Sequence, residues 1–81
     1  MLANLPADIQ DRVPKKLSMW EDNQRHPSLH FKKVSQDSEP SVWSIRVSDD
    51  YRMLGYRRGG HVMWYWVGKH DEYIRIINRL Q

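Results

Sequence analysis

Val42-Trp43-Ser44-Ile45-Arg46-Val47-Ser48-Asp49-Asp50-Tyr51-Arg52-Met53-Leu54-Gly55-Tyr56 is the stretch that decides how this chain folds. From Val42 to Val47 the pattern has period two, with Trp43, Ile45 and Val47 on one face and Ser44 and Arg46 on the other, as in a strand. Ser48-Asp49-Asp50 supplies a turn, and Tyr51 to Tyr56 reads as the return strand. A three-residue loop sets Val47 against Tyr51, Arg46 against Arg52 and Ile45 against Met53. Like charges directly opposite one another destabilise a strand pair, so something should compensate. A bound phosphate would do so. The alternatives are that both arginines lie on a solvated face, or that Asp49 or Asp50 neutralises one of them. A register slip of one residue would separate the pair.

Downstream, Arg57-Arg58-Gly59-Gly60 reads as a second turn and His61 to Val67 as a third strand that Gly68 ends. Ile74, Ile77 and Leu80 recur at helical spacing, so Asp71 to Leu80 is expected as a short amphipathic helix. Upstream, Leu29 to Val34 reads as a short strand entered through Pro27 and followed by a polar loop, Ser35 to Ser41. Before it, Ile9, Val13, Leu17 and Trp20 form a helical stripe over Ala7 to Glu21. Asn4 can cap it and Pro6 suits a first turn. Asp8 and Asp11 early, with Lys15 and Lys16 later, complement the helix dipole. Pro14 conflicts with the stripe, because it removes a hydrogen bond and crowds the Gln10 carbonyl, so a kink or a restart is expected there. The fold class that results is α+β, a small antiparallel meander packed by an N-terminal helix and a short C-terminal helix.

The 81 residues are read as one domain, 1–81, because so short a chain can build a single core and little else. There is no cysteine, which excludes disulfides, thiolate metal sites and cysteine nucleophiles and suits a reducing cytoplasm. No apolar run is long enough to span a bilayer, and MLANLPADIQ lacks the features of a signal peptide, so the expected location is cytoplasmic with no membrane contact. The net charge of +3 is unevenly placed: residues 1–40 carry six Lys or Arg against six acids, and residues 41–81 carry seven against four. The second half also holds seven of the nine aromatic residues. Basic charge interleaved with aromatics is the composition of a polyanion-binding surface, RNA above all, although +3 can equally serve solubility.

A second cluster of interest is Gly68-Lys69-His70-Asp71-Glu72-Tyr73, where the last strand meets the last helix. Helix N-termini attract anions, Lys69 adds a fixed charge, and His70 a titratable one suited to proton transfer near neutral pH. His70 and Tyr73 share a helical face if the helix has begun by then. Alternatively His70 caps or packs and Tyr73 plugs the core. Lys32-Lys33 and Arg57-Arg58 are further phosphate-steering candidates, or simply solvated surface. His26 and His30 have metal-pair spacing, but Pro27 lies between them and no metal site is expected. Trp64, Tyr65 and Trp66 could stack on bases, though Trp64 and Trp66 are better suited to the core. No phosphate-binding G-x-x-x-x-G-K loop, G-x-S-x-G elbow or dinucleotide loop occurs.

The runs Trp43-Ser44-Ile45-Arg46-Val47, Tyr51-Arg52-Met53-Leu54 and Trp64-Tyr65-Trp66-Val67-Gly68-Lys69-His70-Asp71-Glu72-Tyr73, with His26-Pro27-Ser28-Leu29-His30-Phe31-Lys32 entering the sheet, resemble the RelE/ParE superfamily of bacterial type II toxin–antitoxin toxins. The resemblance covers roughly residues 5 to 80. Its RelE-like branch implies a ribosome-dependent endoribonuclease that cuts mRNA by 2′-hydroxyl attack and inhibits translation, with no metal and no cofactor. Carried onto this chain, it makes Arg46 and Arg52 phosphate clamps, His70 the general base and Tyr73 its orienter or stacking partner. Lys32, Lys33, Arg57, Arg58 and Lys69 become RNA-binding residues. The implied partners are an acidic cognate antitoxin, the ribosome and mRNA, in a homodimer or a heterotetramer with the antitoxin. Ser44 departs from the pattern, which has lysine there in the best-known RelE proteins, and Tyr73 does not align cleanly with their C-terminal tyrosine. Residues 1–6 read as the tail of a first helix, so the superfamily's opening strand is expected to be missing and a sheet edge exposed. Two other readings belong to the same resemblance: a ParE-like gyrase inhibitor that acts by binding, and a non-catalytic relative.

Overall fold

Residues 4–36 and 39–80 are described by the computed structural model of this chain. Met1, Leu2 and Ala3 of the expected helical tail, and Asp37 and Ser38 of the expected loop, lie outside them. The first element, α1 (Ala7–Asp22), buries Ile9 and Val13 and half-buries Leu17 and Trp20, the stripe read from the sequence. Its N-cap is Pro6, whose carbonyl accepts the backbone N–H groups of Ile9 and Gln10 at 3.0 Å each. Asn4 is therefore not the cap. Pro14 sits inside an unbroken helix, with no restart. Both Pro14 and Gln10 are exposed, so the carbonyl that the proline leaves unpaired faces water at little cost.

The strand expected over Leu29 to Val34 shrinks to β1 (Lys32–Lys33). Pro27 starts a 3₁₀ turn, Pro27–Leu29, capped by the His26 imidazole, which accepts from the backbone N–H of Ser28 at 3.2 Å. His30 follows in the left-handed region (φ 48), so the chain turns a corner before it can pair. Three longer strands complete the sheet: β2 (Ser41–Arg46), β3 (Tyr51–Arg58) and β4 (His61–Lys69). They pair antiparallel in the order β1-β2-β3-β4. Among the described residues β4 therefore has one free edge, nine residues long. The last helix is α2 (His70–Arg79).

Gly68 does not end β4. The β3 ladder continues past it, with Arg52 opposite Gly68 and Tyr51 opposite Lys69. The glycine is needed for a different reason: a Cβ there would lie 2.5 Å from Cζ2 of the Trp66 ring. Arg57 and Arg58 likewise belong to β3, and Gly59-Gly60 alone makes the second turn, Gly59 at φ 60.

The pleat divides the apolar residues between two cores. Ile45, Val47, Met53 and Val67 pack with Leu29 against Ile9 and Val13 of α1. Trp20 meets Phe31 and Trp64 edge-on, at 5.6 and 5.4 Å between ring centroids, and Phe31 stacks on Trp43 at 4.6 Å. On the other face Val34, Val42 and Leu54 pack with Tyr73 beneath α2, flanked by Tyr65, Trp66, Ile76 and Ile77. A register shift between Leu54 and Gly55 pairs Trp66 with Leu54 and Trp64 with Gly55. That bulge sends Trp64 to the α1 core while Tyr65 and Trp66 join the α2 core.

Candidate active site

The hairpin register is the one the loop arithmetic requires: Ile45 pairs with Met53 and Arg46 with Arg52. Val47 N–H donates to the Tyr51 carbonyl at 3.0 Å and closes the loop Ser48-Asp49-Asp50. Both arginines project on the α2 face, the face of Ser44 and Leu54. Their repulsion is relieved locally. Arg46 is ion-paired with Asp49, as one of the alternatives from the sequence foresaw. Arg52 Nη1 donates to the carbonyls of Ser48 (2.6 Å), Tyr51 (3.0 Å) and Asp49 (3.2 Å), tying the strand to its own turn. Partial burial, then the Arg46 guanidinium, holds Arg52 below the usual guanidinium range, against the opposing pull of Tyr73 and Asp50.

The turn also positions α2. The Asp50 carbonyl accepts the backbone N–H of His70 at 2.8 Å, so the helix begins at His70, one residue before the expected start. Asp71 and Glu72 in the first turn and Arg79 in the last complement the helix dipole. His70 and Tyr73 consequently share a face, their rings 5.6 Å apart. Tyr73 is 3% exposed, and its hydroxyl shares a 3.1 Å hydrogen bond with the buried Ser44 Oγ. The tyrosine plugs the α2 core, and each hydroxyl satisfies the other. Ser44 is thus the polar floor of the site, a role its small size and its place on the arginine face permit.

These residues converge on one concavity of about 130 Å³, lined by Arg46, Arg52, His70, Tyr73, Ser44 and Lys32 and also by His30, Ile74 and Ile77. All four candidate catalytic residues are brought together there. Of the candidate RNA-binding residues, Lys32 lines it, opposite Ser44 in the ladder. Lys69 is next door, in a separate hollow with Asp50, Tyr51, His70 and Asp71. Lys33 is exposed on β1. Arg57 and Arg58 are at the far end of the sheet: the Arg57 guanidinium lies 5.0 Å from the Trp43 ring centroid on the α1 side, and Arg58 borders an apolar hollow with Tyr56 and Met63. Among the described residues no group of three or more His, Asp or Glu could hold a metal ion. None of their helices is long and apolar enough to cross a membrane.

A four-stranded antiparallel sheet between two helices, with a cationic concavity where the first hairpin meets the last helix, defines a small α+β protein. The family model of the ParE-like toxin domain matches residues 7–75, and the chain belongs to that family. It is a toxin of the toxin–antitoxin type, with a cognate antitoxin as its partner. No curated protein and no solved structure matches it.

Sequence reasoning missed the role of Ser44 and the place of His30, which was weighed only as a metal ligand. It also passed over Arg12 and Lys16 as a pair, although their i, i+4 spacing on a helix puts them on one face.

Proposed function

We propose that residues 1–81 act as a single toxin domain that is a metal-independent, ribosome-dependent mRNA endoribonuclease. One observation carries the reading: a histidine, two arginines and a lysine meet in one concavity although they come from α2, β2, β3 and β1. A 2′-hydroxyl placed beside His70 can give its proton to the imidazole as its oxygen attacks the adjacent phosphorus. Arg46, Arg52 and Lys32 surround the phosphoryl oxygens, where negative charge builds in the transition state. The departing 5′-oxygen takes its proton from water at the open rim. Tyr73, held by Ser44, packs behind His70 and fixes the ring's position. A hollow of about 130 Å³ is smaller than the ~300 Å³ of an enclosing ligand pocket, which supports a second body, the ribosome, holding the substrate in place.

Expression of the chain should arrest growth and leave cuts in translated mRNA. His70→Ala should lower cleavage by 10²-fold or more. An Arg52→Ala, His70→Ala double variant that folds and still cuts like the wild type would remove these residues from the site. The engagement of Arg46 with Asp49 and of Arg52 with the turn carbonyls favours a second reading, a gyrase inhibitor that acts by binding. Parallel incorporation of labelled amino acid and thymidine separates them: the nuclease stops protein synthesis first, the gyrase inhibitor DNA synthesis.

A further inference from the structure

Arg46 borders more than the active-site concavity. On the α1 side it also lines a cleft of about 450 Å³ with Arg12, Lys16, Ser28 and the turn at residues 47–50. Arg12 and Lys16 stand one helical turn apart on α1 and face that turn across the cleft. Three cations from two elements therefore share one solvent-filled space. Their mutual repulsion is registered at Lys16: burial first, then Arg46 and Arg12, hold its ammonium below the usual lysine range. The same guanidinium of Arg46 lies opposite Arg52 in the ladder and acts on it from there. Arg46 thus borders both hollows, the one it shares with Arg12 and Lys16 on the α1 side and the one it shares with Arg52 on the α2 side. The acids that border the cleft are Asp49 and Asp50 of the turn. The Asp49 side chain is 87% exposed, and an exposed ion pair is worth at most about 1 kcal/mol, so a polyanion can displace it from Arg46.

We propose that the cleft between α1 and the first hairpin turn is a second phosphate subsite, in which Arg12 and Lys16 hold the phosphodiester next to the one held by Arg46 and Arg52. Single-stranded RNA then wraps the end of the sheet, with Arg46 between two successive phosphates. This rests on the RNA-cleaving reading of the site and extends it from one reacting phosphate to the strand that carries it. It also gives a role to two of the three basic residues of α1, in a half of the chain whose charge balances by count.

The test is binding of a 5′-labelled 2′-O-methyl RNA octamer, which lacks the attacking hydroxyl, followed by anisotropy across a salt titration. Each phosphate contact to single-stranded nucleic acid contributes about 0.7 to the slope of log K against log salt. Arg12→Gln, Lys16→Gln together should make the slope shallower by about 1.4, and Arg12→Gln alone by about half as much. Glutamine is a good helix former, so the thermal midpoint should stay near the wild type's. Lys15→Gln removes the same charge one residue away, outside the cleft, and should leave the slope unchanged. A wild-type slope in the double variant, an equal loss in Lys15→Gln, or no binding by the wild type would each overturn the subsite. The two readings fail separately. A wild type that binds through Arg12 and Lys16 but leaves translated mRNA intact keeps the subsite and loses the nuclease. A wild type that cuts mRNA while the double variant keeps its slope loses the subsite alone.

Discussion

The two faces of the sheet are made from alternate residues of the same strands, yet they do different work. The α1 face is a dry core. Ile45 and Val47 are fully buried there, and Trp20, Phe31, Trp43 and Trp64 pack edge-on and stacked around them. The α2 face is divided: Val42, Leu54 and Tyr73 make a smaller core, while Ser44, Arg46 and Arg52 line the concavity. One face supplies apolar burial that a small domain can ill spare, and this frees part of the other for charge. The difference shows why the candidate site lies at one end of the sheet. Only there do the arginines of two strands, the start of α2 and the turn carbonyls come together.

The largest effect should come from the dry face. Ile45→Ala should cost about 2–5 kcal/mol, read by chemical denaturation. Leu54→Ala should fall in the same range if the α2 core is a true second core, and a cost under about 1 kcal/mol would break that description. Gly55→Ala comes next. A Cβ there would stand 2.7 Å from the Trp64 ring and from Val62 Cγ1, so the variant should lose about 1–3 kcal/mol. Tyr73→Phe keeps the plug and removes only the bond to Ser44. It should cost about 1 kcal/mol and leave cleavage within about tenfold of wild type, the mark of a positioning residue beside His70. A loss as large as that of His70→Ala would instead make the hydroxyl part of the chemistry.

The smallest effect is one of pH. Burial, then the neighbouring Tyr56, pushes the Tyr65 phenol above its ordinary value of 10.0. The unfolded chain therefore loses this proton first, and stability falls as pH rises through 10 toward the folded-state value. Tyr65→Phe should flatten that decline in a series of thermal midpoints, and a decline of unchanged steepness would place the responsible group elsewhere.

Much of this was legible in the sequence because it is local. Period two from Val42 to Val47 and a three-residue loop place Arg46 opposite Arg52, and the ladder has that register. The helical stripe of α1 was equally plain, and Pro14 only obscured it by suggesting a break that solvent exposure makes unnecessary. The misread elements were those whose fate depends on partners. Leu29 to Val34 has strand composition, yet the strand is only Lys32–Lys33, because Pro27 and the left-handed His30 use the start of the segment for a corner. Gly68 resembles a terminator, but β3 runs alongside it and the ladder goes on.

By itself the sequence determined that this is one small antiparallel hairpin protein with an arginine pair on a single face, since pleat alternation and turn closure involve only near neighbours. Tertiary structure decided what that pair is for. It brought α2 down on the arginine face, through His70 N–H on the Asp50 carbonyl and the Tyr73 hydroxyl on Ser44, 29 residues away in the chain. It also set Arg12 and Lys16 across a cleft from Arg46. No periodicity encodes such meetings, because they depend on how two helices settle on the opposite faces of one twisted sheet.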